Sequence, residues 1–169
     1  MSRTIEHRRR LRLFGLLAAC LGLAAAGCVR DNAVVPQREA NRKPAALRVY
    51  LASEAEQPDW PRMTDRLGQT VYVSPIVELD QADVASALAL HSDKRSIVQV
   101  RLNAIGAEHL TRLTQQYAGR YLAIFAGDRF LCAARIWGPD NSGEIRIIAH
   151  LSRREAEDLA ADLDPGRSP

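Results

Sequence analysis

Five arginines, Arg3, Arg8, Arg9, Arg10 and Arg12, stand directly before an uncharged run from Leu13 to Gly27, made of Leu, Ala and Gly with Phe14 and Cys20. No other feature constrains the chain as strongly, because it removes the first residues from any folded domain. A positive segment, an apolar segment of about 7–15 residues and an exit through small residues describe a secretory signal peptide. The run is short for a membrane-spanning helix, which needs about 17–25 apolar residues, so an uncleaved signal anchor is the lesser alternative.

The exit reads Ala25-Ala26-Gly27-Cys28 and resembles a bacterial lipobox. That resemblance implies cleavage before Cys28, diacylglycerol on its thiol and acylation of the new amine. Ala25 stands where leucine is commonest. Leu17-Ala18-Ala19-Cys20 fits the preferred pattern better, but leaves only Leu13 to Ala19 as the apolar segment. Cys28 is therefore the expected lipid-attachment residue, with residues 1–27 as the signal peptide. Val29 follows it, not the aspartate that retains lipoproteins on the inner membrane in some bacteria. The expectation is thus a lipid-anchored protein of the bacterial envelope facing the periplasm, leaning toward the outer membrane.

Processing changes the charge balance. The whole chain has 23 Lys+Arg and 20 Asp+Glu, a formal +3, and residues 1–27 carry five arginines and one glutamate. The remainder holds 18 basic against 19 acidic residues, or −1. Apparent basicity belongs to the targeting segment, so nucleic acid is not an expected partner. Beyond Cys28 only Cys132 remains, which gives neither a disulfide framework nor metal-ligand spacing. Cys132, within a strand-like run, reads as a buried thiol.

Residues 28–46 contain Pro36, Pro44 and scattered charges without an apolar period and read as a flexible tether with a reach of about 25 Å. From Leu47 to Asp164 there are 118 residues, enough for one domain and one core. Residues 165–169 read as a disordered tail.

Within that domain, Leu47 to Leu51 alternates like a strand, and Glu54 to Gly68 reads as a loop. Gln69 to Ser74 reads as a strand that Pro75 stops. Asp80 caps an expected short helix over Gln81 to Ala85. Ser86–His91 and Ser96–Leu102 read as a hairpin. Asn103 caps a helix from Ala104 to Ala118 whose Gly106, Leu110, Leu113 and Tyr117 form one apolar stripe, with Gly119 closing it. Tyr121–Ala126 is apolar throughout, as a central strand is. Gly127-Asp128 turns into a strand over Arg129–Trp137, a polar loop covers Gly138–Glu144, and Ile145–His150 is the last strand. Ser152-Arg153-Arg154-Glu155 is a capping box opening a helix with Ala156, Leu159, Ala160 and Leu163 inward. This order predicts an α+β fold: a mainly antiparallel sheet with two main helices packed on one face.

The segments "GAEHLTRLTQQYAGRYLAIFAGDRFLCAARI", "GEIRIIAHLSRREAEDLAADL" and "GQTVYVSPIVELDQADVASA" resemble the head subdomain of the first periplasmic region of SecD, a protein-export accessory protein. The resemblance spans Leu47 to Leu163. It implies the head fold and contact with exported polypeptides. SecD's membrane spans, with the acidic residue tied to proton-driven pulling, have no counterpart after the signal, and the smaller base subdomain is expected to be absent. Cys132-Ala133-Ala134 stand where the family usually carries Ser-Ala-Pro.

The remaining polar residues assemble no catalytic set. His91, His109 and His150 lack the i, i+4 pairing of a zinc helix. Asp128-Arg129 reads as a hairpin turn. Ser152 reads as an N-cap, without the Gly-x-Ser-x-Gly elbow of a nucleophile. Trp60, between Pro58 and Pro61, reads as a loop pin, or else as a binding anchor. No catalytic, cofactor or metal residue, no cofactor and no small-molecule substrate is expected. The expected function is non-enzymatic binding of envelope proteins or exported chains, for instance by strand addition at an open sheet edge. The alternative is a structural envelope lipoprotein that reuses the fold without client binding.

Overall fold

In the computed structural model, eight strands and two helices are built from patterns short enough to follow residue by residue. It describes residues 45–93 and 95–167. The expected signal peptide, the expected attachment residue Cys28 and nearly all of the expected tether lie outside those residues.

β1 (Leu47–Ser53) is central. It pairs antiparallel with β3 (Thr70–Asp80) on one side and β6 (Tyr121–Ala126) on the other. β2 (Arg62–Thr64) and β7 (Arg129–Arg135) complete the order β2-β3-β1-β6-β7. A second sheet has the order β4 (Val84–His91), β5 (Ser96–Leu102), β8 (Glu144–Leu151). The α+β class holds, with mostly antiparallel strands and two helices, but the expected sheet is divided in two. The division arises because β4, β5 and β8 pair among themselves, a choice of partner that no local period encodes.

Three local expectations are corrected. Pro75 does not stop its strand: β3 runs through it to Asp80. The register steps from Ala52↔Val73 to Tyr50↔Val77, so two steps on β1 face four on β3. Pro75 sits in the resulting bulge, where its missing donor costs nothing. Ser74 Oγ accepts the Ile76 amide there at 3.1 Å. The expected loop of residues 54–68 contains the three-residue β2, held by β3. The short helix after Asp80 is one 3-10 turn, Gln81–Asp83, because β4 already begins at Val84.

Helix α1 spans Ala104–Gln116 under an Asn103 cap and buries Gly106, Leu110, Leu113 and Thr114. It ends at Tyr117, two residues ahead of Gly119, which takes φ +88°. Helix α2 spans Arg153–Leu163 and buries the four residues expected of it, Ala156, Leu159, Ala160 and Leu163. It packs on β4 and β5, whereas α1 touches β3 and β5. Both leucines of α2 are fully buried, each contributing about 1.5–3 kcal/mol of hydrophobic stabilisation.

The five-stranded sheet is apolar on both faces. Val49, Leu51, Leu122 and Ile124 join the helices and the second sheet in the main core. Ala52, Val71, Val73, Tyr121 and Ala123 form a smaller core on the other face. This explains the unbroken YLAIFA of β6.

Candidate binding groove

β7 and β8 follow one another in the chain, yet each is the edge of a different sheet. They meet where the Ile148 amide donates to the Cys132 sulfur. Toward Ala134–Ile136 and Glu144–Arg146 they frame a groove of about 480 Å³. Leu110 of α1 and Leu122 and Ile124 of β6 line it together with Ile136 and Ile145, all five of them buried side chains. An edge strand offers unpaired backbone donors and acceptors, so the groove combines an apolar lining with hydrogen-bonding margins.

Its lip is the loop after β7. Trp137 is 83% exposed there, with the Arg135 guanidinium 4.5 Å from its ring centroid. A tryptophan so exposed, beside an apolar groove, suits contact with a partner better than support of its own fold. The lip is strapped to α1 at two points. The Asp140 amide donates to Thr114 Oγ1 at 2.8 Å, and Thr111 Oγ1 donates to the Asp140 carbonyl at 2.9 Å. Farther along, the Leu102 amide donates to the Gly143 carbonyl at 2.9 Å. Gly143 has φ +65°, and an added Cβ would lie 3.1 Å from the Ala107 methyl.

The residues singled out by sequence are dispersed. Trp60 is half-buried and packs against the main core, which favours its reading as a loop pin. His91 lies between Ser96 Oγ at 3.1 Å and Glu157 at 3.2 Å. His109 faces Glu78 at 3.7 Å. His150 is exposed, with φ 47°, at the end of a β8 segment that bulges against β5. Asp128 pairs with Arg48 at 3.6 Å. Ser152 is the N-cap expected of it, accepting the Glu155 amide at 3.2 Å. Cys132 is buried, and burial pushes its thiol up to about 11, against the Ile148 amide, which lowers it. Among the described residues no three His, Cys, Asp or Glu side chains converge as a metal site, and no helix is long and apolar enough to cross a membrane.

Sequence reasoning reached the Gly138–Glu144 loop but missed Trp137 as its exposed member. The available signal was an aromatic residue placed between a strand and Gly138-Pro139.

Two sheets sharing one core, two helices on that framework and a groove between edge strands define an α+β head domain. Over residues 58–167 the chain matches the family of the SecDF P1 head subdomain, and it belongs to that family. Two solved structures are similar in fold. SecDF in a "Super-membrane-facing form" aligns with a TM-score of 0.58 and 20% identity, over 72% of this chain and 19% of its own. A structure of SecDF, described as a membrane component that enhances protein export, aligns with the same score and identity over 72% of this chain and 62% of its own. The chain thus spans less than two thirds of either solved chain. No curated protein matches it significantly.

Proposed function

We propose that this chain is a lipid-anchored, extracytoplasmic and non-enzymatic accessory domain that holds extended stretches of exported polypeptide in the β7–β8 groove. The observation that carries this reading is the pairing of two open strand edges around an apolar lining, with Trp137 at the mouth. An extended segment satisfies its backbone on such an edge whatever its sequence, while the lining and Trp137 accept apolar and aromatic side chains. Membership in a SecDF head family supports the connection to export. Cys28 supplies the anchor in this reading, on the sequence pattern that precedes it.

A photo-crosslinking amino acid at Trp137 or Asn141, activated in living cells, tests the client. Adducts with many exported chains are expected, and Arg135→Pro should reduce them, because the Ile136 amide bonds inward to Arg120 and alternation leaves the Arg135 amide on the open edge. One stoichiometric envelope partner would replace client binding with the structural-lipoprotein reading. For the anchor, Cys28→Ser should abolish fatty-acid labelling; unchanged labelling would move the attachment to Cys20.

A further inference from the structure

The opposite edge of the smaller sheet carries a separate message. β4 is an edge strand of eight residues, VASALALH, with no proline and no Asp, Glu, Lys or Arg. Natural edges usually carry such residues to block pairing. Its ladder with β5 is regular from Ser86 to His91, so the free edge is not interrupted by a bulge there. Leu88 is 59% exposed and Leu90 40%, and alternation puts both on the same face.

We infer that β4 pairs antiparallel with β4 of a second copy of this chain, joining two three-stranded sheets into one of six strands. The reason is self-complementarity. Leu88-Ala89-Leu90 reads the same in both directions. A two-fold axis at Ala89 sets Leu88 of each copy opposite Leu90 of the other, closing four exposed leucines into one apolar cluster. On the other face of the strand lie Ala87 and Ala89, both half-buried, small enough for two α2 helices to sit side by side.

Charge agrees with this register. α2 runs alongside β4 in the reverse direction. Glu157 sits 3.2 Å from His91 at one end of the strand, and the Leu163 carbonyl accepts from Gln81, just ahead of β4, at the other. Glu157 and Arg167 line the same groove of about 390 Å³ beside Ala87 and Ala89, together with Asp164, three residues before Arg167. The axis at Ala89 reverses one helix against the other, bringing Glu157 of each copy toward Arg167 of its mate. The interface is separate from the β7–β8 groove and does not depend on the function proposed for it.

The test is sedimentation of the full chain in detergent with matched variants. The wild type is expected at twice the chain mass. Leu88→Glu, an exposed substitution that leaves the core intact, should return it to one chain with an unchanged circular-dichroism spectrum. Arg167→Glu should weaken association about tenfold, a loss of about 1.4 kcal/mol, and adding Glu157→Arg should restore it. Under mild oxidation Ala89→Cys should form a disulfide between copies above the wild-type background, and Ser86→Cys should not. A wild type that stays single at the highest concentration reached would overturn the inference. So would a dimer that survives Leu88→Glu, or an Ala89→Cys chain that links only to a different protein.

Discussion

Thr114 and Asp140 stand 26 residues apart in the chain, yet the buried hydroxyl of one accepts the backbone amide of the other at 2.8 Å. The same hydroxyl lies 2.7 Å from the Leu110 carbonyl, to which it donates, so this oxygen makes one of the two straps that fasten the lip of the groove to α1. Thr114→Val keeps the shape and removes these bonds together with the hydroxyl's 3.1 Å contact to the Thr111 carbonyl. The Asp140 amide is only part-buried, so leaving it without this partner costs about 1 kcal/mol, the low end of the range for an unsatisfied group. Urea unfolding should show that loss with an unchanged slope, and hydrogen exchange of the Asp140 amide should quicken. Retained exchange protection at Asp140 would mean that Thr111 alone holds the lip.

Gly106 inverts the usual helix rule. Alanine improves on glycine in a helix by about 1 kcal/mol, but here an added Cβ would lie 2.7 Å from Asp83 Cβ. That contact forces α1 away from the 3-10 turn, and such overpacking costs about 1–3 kcal/mol. Gly106→Ala should therefore lower the melting temperature. A rise would mean the turn moves aside freely.

The capping box of α2 makes stability fall in acid. Hydrogen bonds from the Ser152 backbone and hydroxyl, then one from Arg66, lower the Glu155 carboxyl from the ordinary 4.5 to about 2. A depressed folded value means the stabilisation is present above about 4.5 and is lost as pH falls toward 2. Glu155→Gln should be less stable than the wild type at neutral pH, and the gap should narrow through that window. Ser152→Ala should cost about 1 kcal/mol at neutral pH. Parallel melting curves at every pH would contradict the assignment.

Cys132 offers a reporter of opening. Its sulfur is buried and its thiol is raised to about 11, so little thiolate exists at neutral pH and reagents cannot reach it. Alkylation followed by peptide mass spectrometry should be slow in water and accelerate in step with urea unfolding. Fast labelling under native conditions would show that β7 and β8 part without global unfolding.

Much of this architecture was legible in local pattern. The box of Ser152 and Glu155, the stripe through Leu110 and Leu113, and the alternation of Val98, Val100 and Leu102 each declare an element because the period is carried by neighbouring residues. Pro75 misled because a bulge depends on the strand across from it, and β2 was invisible because three residues carry no period. The groove escaped for a related reason. Leu110, Leu122, Trp137 and Ile145 come together only when two sheets share a core, and no spacing in the chain records that meeting.

The position of β1 has a mechanical consequence. Its first residues are tied to the β6–β7 turn, where the Gly127 amide donates to the Ala46 carbonyl at 2.7 Å, and ladders flank it on both sides. Suppose tension is applied between the chain ahead of Ala45 and a load seated against β7. It would run along β1 and have to slide two rows of hydrogen bonds together instead of unzipping one. A domain strung that way transmits force before it yields.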